Sequence, residues 1–232
     1  MEEPRPWGLG QALIGYAVAF VVSNLAVGLY AGAAGVDLAH PTLGVAVVGL
    51  VALWVGLFGA VLFTARRLAR SSLREEFGLA LRPVDVPVGI VVGLLSQIVL
   101  VWLVYLPWRA ADPDLNRKLE EPAKELTNLA HGPGFVLLAV LITVGTPIVE
   151  ELFFRGLLQR SLLKRMRPPA AIGLSALAFG LAHQQVLQLP GLIAFGVVLG
   201  VLAHRTGRLG PGIVAHAAFN LVTVVALAMS RG

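Results

Sequence analysis

Long stretches without charged side chains run through this chain and mark where it is expected to cross a membrane. Between Arg5 and Asp37 lie 31 residues without Asp, Glu, Lys or Arg, and stretches of 28, 23 and 24 such residues follow. Another 37 separate Arg167 from Arg205. A helix needs roughly 20 apolar residues to cross a hydrocarbon core about 30 Å thick. Each stretch is therefore long enough for a membrane-spanning helix.

The longest of these stretches is too long for one helix, and its polar residues divide it. Three glutamines, a proline and a glycine fall within Gln184–Gly191, which predicts a turn between two helices. The last apolar stretch covers Leu209–Ser230. Seven spans result. We therefore predict an all-α fold, a polytopic membrane helical bundle of about seven transmembrane helices.

Composition agrees with this pattern. Apolar residues make up 57% of the 232 and charged residues 13%, about half the roughly 25% of soluble domains. We expect a single integral membrane domain over residues 1–232, with N-terminal helices in 1–110 and a motif-bearing catalytic core in 134–228. The outer loop between them is expected to hold an interfacial helix near Leu115–Leu129. The opening Met1–Arg5 lacks the basic region of a signal peptide.

The positive residues indicate how the helices are oriented. With the N-terminus in the cytoplasm, twelve of the 18 Lys and Arg residues fall on the inner side and five on the outer side. Such an excess is typical of cytoplasmic loops. The formal net charge of +5 is explained in this way, so no nucleic-acid partner is expected. The chain has no cysteine, which excludes disulfides, thiolate metal sites and cysteine nucleophiles.

Two acidic residues stand apart from all the others. Eleven of the 13 acids lie at or before Glu125, and the remaining 107 residues contain only Glu150 and Glu151. Both lie with Arg155 inside an apolar helix, where ionisable groups are costly and usually functional. Glu151 and Arg155 are four residues apart, which predicts an ion pair along the helix and leaves Glu150 freer. Pro147 is expected to bend the helix beside them.

Polar residues in the following spans extend the candidate site. Phe179 and His183 share one helix face, and His216 and Asn220 share another. The composition of this group suits a base-activated water, with the carboxylate as general base. Asn220 and one histidine could then stabilise an oxyanion. Zinc held by Glu150, His183 and His216 is the alternative, and no cofactor is assured. Simple helix lengths place His216 about 8 Å and His183 about 20 Å from the inner edge, so convergence requires staggered helices.

Three motifs in this order resemble those of the CPBP family, the CAAX-protease and bacteriocin-processing (Abi) intramembrane proteases. They are Glu150-Glu151-x-x-x-Arg155, Phe179-x-x-x-His183 and His216-x-x-x-Asn220, and the lead-in Thr206–Pro211 is also similar. The resemblance covers about Gly134 to Val225. The seven predicted spans are one fewer than the eight associated with the CAAX enzymes.

The resemblance implies an intramembrane endopeptidase that cuts a membrane-associated protein or peptide. Glu150 would activate water with help from His183, and His216 and Asn220 would stabilise the oxyanion. Glu151 and Arg155 would order their helix, with Phe179 in a supporting place. The family is named as metalloproteases, although a metal-free glutamate mechanism is an equal alternative. An Ala-, Val-, Leu-, Gly- and Arg-rich composition favours the cytoplasmic membrane of a prokaryote, where prenylated substrates are not expected.

Other readings depend on other features. Gly173-Leu174-Ser175-Ala176 is similar to the serine element of rhomboid proteases, but that family places its His/Asn helix before the serine. Ser175 is therefore expected to be a packing residue. No aspartate lies in a span, and no zinc His-Glu-x-x-His motif occurs. The alternatives from other classes are a non-catalytic scaffold or bacteriocin-immunity protein of the same fold, and a transporter with Glu150 as proton carrier.

Overall fold

A computed structural model describes residues 7–229, and helices are the only regular elements in that part of the chain. The long ones are those that the charge-free stretches predict. The helices are α1 (Leu9–Ala34), α2 (Leu43–Leu68), α3 (Leu73–Phe77), α4 (Asp85–Arg109), α5 (Leu115–Asn128), α6 (Pro133–Leu163), α7 (Pro168–Ala182), α8 (Leu189–Thr206) and α9 (Gly210–Met229).

Six of these helices are long and apolar enough to cross a membrane, namely α1, α2, α4, α6, α8 and α9. The seventh predicted span is α7, which has 15 residues and extends about 22 Å. The predicted polytopic helical bundle is confirmed. The predicted turn between α7 and α8 is present over residues 183–188, whereas Leu189, Pro190 and Gly191 of the predicted segment already belong to α8, since proline is tolerated in the first turn of a helix. Helix α5 occupies the predicted place in the outer loop. Met1–Arg5, Ser230 and Arg231 lie outside the described residues.

Helix α6 is the centre of the bundle. Helix α1 packs along α2, α4 along α9, and α7 along α8, and α6 contacts members of all three pairs. Every residue of Glu151–Gln159 is buried. Phe153 and Phe154 meet edge to face at 5.2 Å, and Phe154 meets Phe179 of α7 in the same way at 5.4 Å. The acidic motif is thus enclosed by protein rather than by lipid.

The helix ends that the sequence assigns to the cytoplasm lie together. Lys164 Nζ donates to the main-chain oxygen of Trp7 at 2.6 Å. Arg160 donates to the carbonyl oxygens of Glu76 and Gly207, each at 2.9 Å, and so joins α3, α6 and the loop before α9. These contacts require the helices to alternate in direction as predicted. They do not depend on which side of the membrane this end faces.

An ion pair completes this end of the bundle. Arg208 donates from Nη2 to Asp85 Oδ1 at 2.5 Å and from Nε to Oδ2 at 3.3 Å. The hydrogen bonds that Arg208 donates to Asp85 raise the pKa of the Arg208 guanidinium above its ordinary value. Leu209 N and Gly210 N donate to the carbonyl oxygens of Gly78 and Ala80. The segment that leads into α9 is therefore fixed to the beginning of α4.

Candidate active site

Helix α6 contains two π-helical segments on either side of Pro147, where the sequence predicts a bend. They cover Leu141–Gly145 and Glu151–Gln159, and the intervening Thr146–Glu150 is α-helical. Proline cannot donate a main-chain hydrogen bond, and π-helical turns occur frequently at functional sites. Glu150 and Glu151 therefore lie at the junction between two helical forms.

The ion pair between Glu151 and Arg155 is present as predicted. Arg155 Nη1 donates to Glu151 Oε1 at 2.9 Å, and both side chains are 0% exposed. Arg155 Nη2 donates to the carbonyl oxygen of Gly196 in α8 at 3.1 Å. The guanidinium lies 4.4 Å from the centre of the Phe179 ring, over its face. Arg155 thus compensates a buried carboxylate and joins α6 to α7 and α8.

His216 of α9 lies between the two glutamates. Its Nδ1 is 3.3 Å from Glu151 Oε1, and its Nε2 is 3.9 Å from Glu150 Oε2. A carboxylate accepts hydrogen bonds, so Nδ1 donates to Glu151 and Nε2 faces Glu150. The rings of Phe179 and Phe195 meet the imidazole edge to face at 5.7 and 5.5 Å. The orientation of the His216 ring is therefore set by one hydrogen-bond acceptor, Glu151, and by contacts with two phenylalanine rings.

Glu150 differs from Glu151 in its surroundings. Its side chain is 13% exposed, whereas that of Glu151 is 0% exposed. Glu150 Oε2 is buried and has no hydrogen-bond partner among residues 7–229. The gap of 3.9 Å to His216 Nε2 is too long for a direct hydrogen bond. Glu151 Oε2 is also buried and without a hydrogen-bond partner in this range, so it is the partial exposure of its side chain that makes Glu150 the carboxylate accessible to a small molecule.

His183 approaches the same region from the end of α7. Its Nδ1 is 2.8 Å from the carbonyl oxygen of Phe179, so Nδ1 carries the proton and Nε2 is left free. The Phe179 ring lies 4.7 Å from the His183 ring and 5.7 Å from the His216 ring. Phe179 therefore lies against both histidines.

Asn220, the predicted oxyanion donor, makes a contact within the helical bundle. Its Nδ2 donates to the carbonyl oxygen of Ile142 in α6 at 2.9 Å. Ser175 is a packing residue as expected, since its buried hydroxyl donates to the carbonyl oxygen of Phe154 at 2.9 Å. The structure thus brings together Glu150, Glu151 and His216, and it places Asn220 about one turn further along α9.

The predicted zinc ligands do not form a metal site in this arrangement. Within the described residues, no group of three or more His, Cys, Asp or Glu side chains could hold a metal ion. Glu150, His183 and His216 accordingly do not fit zinc here, and no step below is routed through a metal.

Contacts to α8 were not predicted from the sequence. Arg155 and Gln159, four residues apart on α6, donate to the carbonyl oxygens of Gly196 and Gly200, four residues apart on α8. A Cβ atom at Gly200 would lie 2.6 Å from Gln159 Oε1. The Gly-x-x-x-Gly spacing is typical of close helix packing in membranes and is the feature that could have identified this contact.

Comparison with known proteins bears on this geometry. Residues 132–222 match the family model described as type II CAAX prenyl endopeptidase Rce1-like. This segment is thus similar to that family. The match covers less than half of the chain but contains all three motifs, and it confirms the resemblance to the CPBP family. It supports a protease at the level of the family. Neither the curated proteins nor the solved structures that were compared give a match.

Proposed function

We propose that this protein is an intramembrane endopeptidase in which Glu150 activates the attacking water. The observation that carries the proposal is the gap between Glu150 Oε2 and His216 Nε2. A water oxygen about 2.8 Å from each of two atoms that are 3.9 Å apart would see them at an angle of about 90°. Both atoms could hold one water molecule, and the unpartnered Glu150 oxygen is the base beside it.

The reaction then follows from the atoms of the site. Glu150 takes a proton from the water as the oxygen bonds to the scissile carbonyl carbon. The tetrahedral intermediate loses its C–N bond, and Glu150 returns the proton to the departing amine nitrogen. No net proton is gained or lost by the enzyme.

The remaining residues orient this chemistry. Glu151 accepts from His216 Nδ1 and so keeps Nε2 directed at the water, as the carboxylate of a catalytic triad orients its histidine. Arg155 compensates the charge of Glu151. His183 has a free Nε2 and assists from α7, the role that the family resemblance implies for it.

The substrate class is proposed to be a membrane-associated protein or peptide. The Rce1-like match covers the motif-bearing segment, and six helices are suited to a bilayer. Because prenylated proteins are not expected in a prokaryote, a membrane peptide without a prenyl group is the favoured substrate. We therefore propose two assay probes, a farnesylated CAAX peptide and an unprenylated membrane peptide.

Replacement of Glu150 tests the proposal. Membranes that contain the wild-type protein or Glu150→Gln are compared by mass spectrometry of new protein termini, and the purified proteins are assayed with both probes. Loss of the general base is expected to lower the rate on the order of 10² to 10⁴-fold. Glu121→Gln, at an exposed position of α5, is the matched control.

Cleavage sites that occur with the wild type and Glu121→Gln but not with Glu150→Gln would support proteolysis and identify the substrate. Identical termini for all three proteins, each folded and equally abundant, would contradict the proposal and favour a non-catalytic scaffold.

A further inference from the structure

A single main-chain oxygen in α6 is left open by the local helical form. In the π-helical segment Leu141–Gly145, Thr146 N donates to the carbonyl oxygen of Leu141. The carbonyl oxygen of Ile142 would next receive the N–H of residue 147, which is proline and has none. The helix thus contains no remaining donor for Ile142. In a regular α-helix Pro147 would leave open the carbonyl four residues before it, that of Thr143; in the π-helical register the residue five positions before it is Ile142.

Asn220 supplies the missing donor from another helix. Its Nδ2 lies 2.9 Å from the Ile142 oxygen. The amide orientation is determined by chemistry, since the opposite orientation would place two acceptor oxygens against each other. A carbonyl without a partner is strongly unfavourable where lipid replaces water, so this bond holds the two helices together.

The bond also sets the position of the candidate catalytic histidine. His216 and Asn220 are four residues apart on α9, and they contact Glu150 and Ile142, which are eight residues apart on α6. The residue numbers rise along α9 as they fall along α6, so the helices are antiparallel. Two contacts at different positions along the helix axes determine both the distance between α9 and α6 and their axial register.

We propose that Asn220 is a positioning residue which holds His216 against Glu150 by capping the Ile142 carbonyl oxygen that Pro147 and the π-helical turn leave open. The proposal rests on the proposed function only where activity is the readout. The family resemblance implies an oxyanion role for Asn220, and the experiments below distinguish the two roles.

A double-mutant cycle distinguishes the two roles. Asn220→Ala is expected to lower kcat about tenfold to hundredfold with little change in KM, because a buried carbonyl loses its partner. Pro147→Ala provides a main-chain N–H at position 147 that can donate to the open carbonyl of Ile142. In the Pro147→Ala background, Asn220→Ala should lower kcat less than about threefold, since the main chain of α6 now donates to the Ile142 carbonyl oxygen itself. An oxyanion donor would instead cost on the order of 10² to 10³-fold in both backgrounds.

A distance measurement keeps the test independent of activity. The chain has no cysteine, so nitroxide labels can be placed at Val144→Cys on α6 and Val225→Cys on α9, which are 52% and 46% exposed. Asn220→Ala should shift or broaden the distribution of label separations, and Pro147→Ala should reverse the effect. Asn24→Ala is the matched control, because Asn24 Nδ2 donates to a carbonyl oxygen within its own helix.

An unchanged distribution in Asn220→Ala, or an equal loss of kcat in both backgrounds, would overturn the positioning role. If Pro147→Ala is inactive by itself, the label distances alone decide. If no proteolysis is detected but Asn220→Ala clearly changes the label distances, the proposed function is rejected and the role of Asn220 in positioning α9 is kept.

Discussion

The buried ion pair of α6 allows a prediction in which stability and activity separate. Arg155→Met leaves the Glu151 carboxylate, which is 0% exposed, without its cationic partner. Removal of one member of a buried pair costs about 3–5 kcal/mol. The same substitution also removes the hydrogen bond to Gly196 and the contact with the Phe179 ring.

The double variant Glu151→Met/Arg155→Met removes both charges and keeps similar side-chain volumes. Both variants lack the Gly196 hydrogen bond and the ring contact, so these losses cancel in the comparison. The double variant also loses the hydrogen bond between His216 Nδ1 and Glu151, about 0.5–1.5 kcal/mol, but it avoids the unpaired buried carboxylate, about 3–5 kcal/mol. It should therefore be more stable than Arg155→Met, by about 2–4 kcal/mol. It should nevertheless be inactive, because His216 Nδ1 no longer has the Glu151 acceptor.

Unfolding of the purified proteins in mild detergent, followed by tryptophan fluorescence during titration with a denaturing detergent, measures these differences. Arg66→Met is the control, since Arg66 is exposed and its loss should change stability by no more than about 0.5 kcal/mol. If the double variant is no more stable than Arg155→Met, the account of Glu151 as a charge compensated by Arg155 is refuted. Full activity of the double variant would refute the orienting role of Glu151.

Three further predictions follow from the packing. Asp85→Arg and Arg208→Asp should each lower the melting temperature and the activity. The combined exchange should restore part of both, because it re-forms the ion pair that fixes the segment before α9. If the double variant recovers neither, this role of the ion pair is contradicted. Gly200→Ala should lower the melting temperature, since its Cβ would lie 2.6 Å from Gln159 Oε1 and 2.9 Å from Ile172 Cγ2. Added Gln159→Ala should relieve only part of the loss, because the contact with Ile172 remains. Activity should survive dialysis against a zinc chelator, because the described residues offer no group of metal ligands; inactivation that zinc reverses would show otherwise.

Much of the fold could be predicted from the sequence because the relevant signals are local. Charge-free stretches identify the spans, since a charge within lipid is costly wherever it occurs. The polar and Pro/Gly content of Gln184–Gly191 indicates a turn without knowledge of any neighbour. Glu151 and Arg155 are four residues apart on one helix, so their pairing follows from helical periodicity alone.

The candidate site was only partly predictable, because helical periodicity says nothing about how one helix slides along another. Distances counted along separate helices placed His183 and His216 at different depths. In the structure, a short α7 ends beside His183, and Phe179 lies against both rings. The metal requirement, the prokaryotic origin and the division of the chain at residues 110 and 134 stay predictions.

By itself, the sequence determined which residues lie in the membrane, which two of them pair along a helix, and which polar types are available for chemistry. Tertiary structure alone decided that His216 lies between Glu150 and Glu151 and that Asn220 reaches the oxygen of Ile142. The physical reason is the π-helical form of α6. Its turn before Pro147 shifts the main-chain hydrogen bonds by one residue and leaves the Ile142 carbonyl open, and only the tertiary structure shows that α9 provides a donor there.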